Sequence, residues 1–179
     1  MPGKTSNKAI TRMLQEVADL VELKGGNEFR VRSYRRAART VEGLPREAAA
    51  LIEDEEDLSQ YEGIGESIAS KIREIVSTGS LSQLEELRSE LPAGLTELLE
   101  LRGVGPETVS RLYEDLDIES IPELREAAEE GRVRELEGFG EKTEQNILDA
   151  VQAMQENPER GRLRLDEARE HADRILNYL

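Results

Sequence analysis

The chain has 179 residues, enough for one domain or two small ones, and it carries no cysteine and a single histidine, His171. Disulfides, thiolate metal sites and a zinc site are therefore not expected, and no stretch approaches the roughly 18 apolar residues of a membrane helix. The net charge of −15 is unevenly distributed: residues 1–46 hold 10 Lys and Arg against 5 Asp and Glu, and the remainder 14 against 34. A basic start joined to so acidic a body points to a soluble, cytoplasmic protein adapted to high intracellular salt, with no membrane partner.

In chain order, Ile10, Met13, Leu14, Val17, Leu20 and Val21 recur at helical spacing, with Ser6 or Asn7 as N-cap and Gly25-Gly26 as the stop. The segment 29–41 predicts a second helix. Val31, Tyr34, Ala37, Ala38 and Val41 fall in one arc, and Arg32, Arg35, Arg36 and Arg39 in another of about 100° opposite it. Arg30 falls in the apolar sector. Four guanidinium groups on one face of an acidic protein point to nucleic acid, because solubility does not call for them there. Gly43 closes this helix and Pro45 opens a short one bearing Ala48, Ala49, Leu51 and Ile52. The run Glu53-Asp54-Glu55-Glu56-Asp57 reads as solvated loop and is assigned no metal.

Next comes Gly63-Ile64-Gly65 and a helix with Ile68, Ala69, Ile72, Ile75 and Val76 that stops at Gly79. Ser80 with Gln83 predicts a capping box for a helix carrying Leu81, Leu84 and Leu87. Pro92 and Gly94 then break the pattern and mark a domain boundary. Beyond them lie Gly103-Val104-Gly105, a helix through Leu116, a second capping box at Ser120 and Glu123, a stop at Gly131, Gly138-Phe139-Gly140 and a helix to about Met154. Asn157-Pro158 is the next break. No segment alternates apolar and polar residues, so the expected fold is all-α: two small helical domains, 1–91 and 92–158, followed by 159–179.

The Gly-apolar-Gly tripeptide is an internal repeat, recurring after 40 and then 35 residues. The residues that follow align: Glu66-Ser67-Ile68-Ala69-Ser70-Lys71-Ile72, Pro106-Glu107-Thr108-Val109-Ser110-Arg111-Leu112 and Glu141-Lys142-Thr143-Glu144-Gln145-Asn146-Ile147. Each copy reads as helix, tight turn, helix. Glycine permits positive φ and close backbone approach, so the amides opening the second helix can face a phosphate oxygen, with the helix dipole favouring the anion. Gly63, Ile64, Gly65, Gly103, Val104, Gly105, Arg111, Gly138 and Gly140 are accordingly candidate DNA-backbone contacts, indifferent to base sequence. The third copy is the poorest. Glu144 stands where the others place Ala69 and Val109, between the two helices. No cofactor and no side-chain metal site is expected; the hairpin backbone carbonyls offer a place for a monovalent cation.

These motifs, in this order, resemble the N-terminal half of the bacterial and archaeal family X DNA polymerases, relatives of DNA polymerase beta. The resemblance rests on Asn7-Lys8-Ala9-Ile10, Phe29-Arg30-Val31-Arg32-Ser33-Tyr34-Arg35-Arg36-Ala37-Ala38, Tyr61-Glu62-Gly63-Ile64-Gly65, Leu98-Leu99-Glu100-Leu101-Arg102-Gly103-Val104-Gly105-Pro106 and Leu136-Glu137-Gly138-Phe139-Gly140. It implies a lyase-type domain followed by fingers, with residues 159–179 leading into a palm domain of the same polymerase. The palm's Gly-Ser motif and metal-binding aspartates are absent, and Asp115-Leu116-Asp117 is a chance match at a helix end, so no polymerisation is expected of this chain. The implied partner is gapped, nicked or abasic DNA in base excision repair. By position Lys71 matches the lysine that forms a Schiff base with the abasic sugar in 5′-deoxyribose phosphate lyases, with Arg30 and Tyr34 lining its pocket. Ser67, where such domains often place a second lysine, and the anion Glu74 both work against a neutral amine, so Lys71 reads equally as a phosphate-contacting helix residue. A helical protein-interaction module without catalysis is the alternative for the whole chain.

Overall fold

The computed structural model describes residues 5–156. The sequence-predicted break at Asn157-Pro158, the segment 159–179 and His171 lie outside them. Among the described residues the order is α1 (Asn7–Leu23), α2 (Glu28–Glu42), α3 (Ala48–Glu53), a 3-10 turn (Leu58–Gln60), α4 (Glu66–Thr78), α5 (Ser82–Glu90), α6 (Ala93–Leu98), α7 (Pro106–Leu116), α8 (Ile121–Glu129), a second 3-10 turn (Val133–Glu135) and α9 (Glu141–Glu156), with no strand. The fold is all-α. The chain divides into two compact units, one running through Ala93 and the other starting at Gly94.

The first unit is organised by α1 packed along α2. Ser6 caps α1, its Oγ accepting from the Ala9 amide at 3.2 Å. Ala18, Ala37 and Ala38 are fully buried, and such small side chains let the two backbones approach closely. Thr11 is buried beside them and donates to the Ala38 carbonyl at 3.3 Å, which satisfies its hydroxyl away from water. Charged groups fasten the same helices at their margins: Arg35 donates to Asp19 and Glu22, and Arg88 of α5 reaches Glu16 through two 2.7 Å bonds.

Two local expectations fail here for tertiary reasons. Pro45 does not open α3, which starts at Ala48. The side chain of Asn7 accepts from the Ala48 amide at 2.7 Å and donates to the Arg46 carbonyl at 3.0 Å, while its own amide donates to Glu47. Residues before Ala48 are thereby pinned to the start of α1. The capping box of Ser80 and Gln83 also does not form, since α5 has Leu81 at its N-cap and no side-chain cap bond. Ser80 bonds with Thr78, Gln83 accepts from the Tyr34 hydroxyl at 2.8 Å, and Glu74 accepts from the Ser82 amide at 2.8 Å instead. A carboxylate from the preceding helix has taken over the cap. Those Ser82 hydrogen bonds, from side chain and backbone, hold the Glu74 carboxyl below the ordinary range.

In the second unit, Ser120 caps α8 as expected, accepting from the Glu123 amide at 3.4 Å. The reciprocal bond is displaced by one residue: Glu123 accepts from the Glu119 amide at 2.8 Å rather than from Ser120. Gly94 is not linker but part of the first turn of α6, and the break in helix falls at Leu91-Pro92. A Cβ built on Gly94 would stand 1.8 Å from the Glu119 carbonyl oxygen. That contact is backbone, with no side chain to swing aside. Gly94→Ala is expected to destabilise this unit by about 3 kcal/mol or more, as overpacking against a fixed group does. Denaturant unfolding monitored by circular dichroism checks it, and a loss no larger than the fraction of a kcal/mol typical of surface positions would contradict the close approach.

Candidate nucleic-acid interface

The three hairpins superimpose residue for residue in their hydrogen bonding. Gly63, Gly103 and Gly138 adopt φ of +96°, +81° and +84°. The next amide turns back: Ile64 to the Tyr61 carbonyl at 3.1 Å, Val104 to Leu101 at 3.1 Å and Phe139 to Leu136 at 3.0 Å. The following glycine then heads the second helix, its carbonyl accepting from Ala69, Val109 and Glu144 in the three copies. Gly65 and Gly105 occupy N-caps with no side-chain cap bond, and open space surrounds the position where a Cβ would stand on Gly65, Gly105 or Gly140. The expected first helix is reduced to one 3-10 turn in copies one and three, leaving α6 as the longest first arm. Ile64 and Val104 are buried, so in the first two copies the turn's apolar residue anchors it.

Arginines on α2 divide into two groups. Arg35 is turned toward α1, where Asp19 and Glu22 hold it at 3.2 and 2.5 Å; burial pulls its pKa down, and the hydrogen bonds it donates to the two carboxylates raise it further than that. It is not part of a free basic face. Arg32 pairs with Glu28 one turn away at 3.0 Å, Arg36 with Glu62 at 2.9 Å, and Arg39 is exposed with no ion-pair partner among the described residues. Arg30, placed by periodicity in the apolar sector, is exposed instead, its guanidinium 6.0 Å from the centroid of the buried Tyr34 ring. Lys71 donates to Ser67 at 3.3 Å. Arg111, which shares its register in the repeat, pairs with Asp115 at 3.0 Å and lies 5.7 Å from the Phe139 ring centroid, so it joins the second hairpin to the third.

Three participants were not singled out by the sequence. Thr40 donates to the Glu62 carbonyl at 2.8 Å and ties the first hairpin to α2; nothing in the chain marks it. Arg102 and Lys142 are exposed cations without an ion-pair partner among the described residues, next to the second and third hairpin glycines. Their nearness to Gly103 and Gly140 was the available signal.

Glu144 is 2% exposed and fills the inter-helix position of the third copy as predicted, yet it is fully satisfied. Arg134 donates to it through its amide at 2.9 Å, Nε at 2.9 Å and Nη2 at 2.7 Å. Burial pushes the Glu144 carboxyl up, but the Arg134 bonds outweigh it and the pKa falls below the ordinary value. A depressed folded pKa contributes stability at neutral pH that is lost as pH falls through that value. Glu144→Gln is expected to flatten the decline in melting temperature between about pH 5 and pH 2, and Arg134→Met to lower the melting temperature at pH 7. Thermal melts across that range check both, and a Gln variant with an unchanged acid limb would contradict the assignment.

A family model described as a helix-hairpin-helix domain matches residues 5–81, and one described as a SAM-like helix-hairpin-helix tandem matches residues 95–153. The chain is 38% identical over 153 residues to DNA polymerase/3′-5′ exonuclease PolX of Bacillus subtilis (strain 168), covering 86% of this chain and 26% of that protein. It is 33% identical over 109 residues to DNA polymerase lambda of Arabidopsis thaliana, 60% of this chain and 20% of that one. A DNA ligase of Clostridium novyi (strain NT) is 33% identical over 70 residues, 39% of this chain and 10% of the ligase. The chain thus spans about a quarter or less of the length of these relatives. With helix-hairpin-helix matches across both units and two polymerases among its relatives, the chain is a counterpart of the N-terminal helix-hairpin-helix part of family X DNA polymerases.

Proposed function

We propose that this chain is a DNA-binding module of a family X repair polymerase, gripping the phosphate backbone of gapped or nicked DNA and working beside the palm domain of that polymerase. The observation that carries the reading is the repeated turn: Gly65 and Gly105 present helix starts that no side chain caps, with open space where a Cβ would stand on either glycine. Backbone amides and the helix dipole there favour an anion, and exposed Arg39 and Arg102 add charge. Phosphates carry no direct sequence information, so affinity is expected to be nearly the same for unrelated duplexes. Arg39→Glu and Arg102→Glu should each weaken binding to all sequences alike and make log K less dependent on log salt, by about 0.9 or more per lost phosphate contact. Fluorescence anisotropy over a salt series measures this. Discrimination of about a hundredfold between unrelated duplexes of equal length would overturn it, and absence of binding at every salt concentration would favour a protein-interaction module.

A second reading adds 5′-deoxyribose phosphate lyase chemistry at Lys71. It is supported by the place of Lys71 in the first hairpin helix and its hydrogen bond to the neutral Ser67 hydroxyl; Glu74, although bonded to Ser82, still sets a negative charge near the amine. The amine would add to the C1′ aldehyde with loss of water; removal of a C2′ proton and breakage of the C3′–O bond would then release the 5′-phosphorylated strand. Beyond the C–N bond formed and the C–O bonds broken, these steps require only proton transfers and no metal. Borohydride is expected to trap a covalent adduct on abasic DNA, weakly at neutral pH and more above it, and Lys71→Ala should abolish it. An adduct of equal yield in that variant would exclude Lys71, and no adduct at any pH would leave binding alone.

A further inference from the structure

The turn of the first hairpin lies under α2. A side chain begun at Gly63 would meet Thr40 Oγ1 at 2.7 Å and Arg36 Cγ and Cδ at 3.1 and 3.6 Å, so the aliphatic stem of Arg36 rests on the turn itself. Its guanidinium ends on the carboxylate of Glu62, the residue immediately before Gly63, with Nη2 donating to Oε1 at 2.9 Å. The backbone of Glu62 is held separately by Thr40. Both ends of the ion pair are open to water, the Arg36 side chain 61% and the Glu62 side chain 88% exposed. In the repeat register the same position is Arg102 in the second hairpin and Glu137 in the third. Glu137 is exposed and has no ion-pair partner among the described residues.

We infer that Glu62 is a built-in competitor for phosphate: its carboxylate occupies Arg36, and a DNA phosphodiester held at the first hairpin displaces it. The inference rests on the backbone-binding reading above. Carboxylate and phosphodiester offer a guanidinium the same pair of acceptor oxygens, so one substitutes for the other without moving the arginine. An exposed ion pair contributes little to stability, so opening it leaves the fold intact. The Arg36 stem is fixed by its packing on Gly63, which keeps the guanidinium at the turn when Glu62 swings into solvent. Glu62 also places a negative charge where the incoming phosphate has to sit, a repulsion that salt shortens. The first hairpin therefore has a weakened grip in dilute salt that the second, with Arg102 in register, does not share.

The test is equilibrium binding of labelled gapped DNA to the whole chain over a salt series, for the unaltered protein, Glu62→Gln, Glu137→Gln, Arg36→Gln and the Arg36→Gln, Glu62→Gln double variant. Glu62→Gln is expected to tighten binding up to about fivefold in dilute salt, the range that losing an exposed ion pair permits. It should also steepen the salt slope, by less than a whole phosphate contact, because Arg36 meets the phosphate in both proteins and only the repulsion that salt shortens is lost. Glu137→Gln makes the same change in net charge but frees no arginine, so its slope should stay put, and Arg36→Gln should erase the gain in the double variant. Melting temperatures of the Glu62 variant are expected to match the unaltered chain. If the unaltered chain binds and Glu62→Gln changes neither affinity nor slope, this inference is overturned while the backbone-binding reading stands. Equal gains from Glu137→Gln, or a gain that survives in the double variant, would reduce the effect to bulk charge and overturn it as well. No DNA binding by the unaltered chain would remove both.

Discussion

Everything that gives this chain a recognisable site follows from one backbone requirement, a glycine held at positive φ in the middle of each hairpin. At φ between +81° and +96° an L side chain is strained, so Gly63, Gly103 and Gly138 are the residues that can make the turn without penalty. The turn in turn fixes its neighbours. Ile64 and Val104 are driven into the core, and the second glycine is left at a helix start with extended φ and ψ, where its carbonyl opens α4 or α7. A helix end with uncapped amides is normally a weakness that a Ser or Asp repairs. Here no side chain makes that repair.

Ion pairing sorts the cations of this acidic protein. Most arginines in the described residues are answered by carboxylates: Arg35 by Asp19 and Glu22, Arg46 by Asp54 and Glu56, Arg88 by Glu16, Arg125 by Glu129. Individually, exposed pairs of this kind add little to stability. Their effect is on distribution. They neutralise the cations that fasten helices to one another, and they leave Arg39, Arg102 and Lys142 uncompensated. Arg102 and Lys142 stand next to hairpin glycines, and Arg39 stands on the helix that overlies the first turn.

The third copy shows how the repeat diverges without losing its geometry. Its turn repeats the φ and the hydrogen bonds of the other two, but the apolar contact between helices has become a buried carboxylate with an arginine wrapped onto it. A buried charge without a partner would be strongly destabilising, so Arg134 and Glu144 have to be retained or lost together. In the second hairpin, Arg111 is similarly engaged by Asp115 and the Phe139 ring, which makes hairpins two and three one packed assembly.

The repeat, the all-α class, α1 with its start narrowed to Ser6 or Asn7, and the ends of α2 at Gly43 and α4 at Gly79 were legible in the sequence, because helical periodicity and glycine stereochemistry act over a few residues. So was the internal position of residue 144, although the sequence did not say how a carboxylate could occupy it. What only tertiary structure decided were partners distant in the chain. Asn7 fixes where α3 begins from about forty residues away; Glu74 displaces the capping box at Ser80; Thr40 and Arg36 cover Gly63; Asp19 and Glu22 remove Arg35 from the basic face. The physical reason is common to all four. A polar side chain bonds to whichever donor or acceptor the packed fold brings within about 3 Å, and that proximity depends on how the helices pack, which a window of neighbouring residues does not contain.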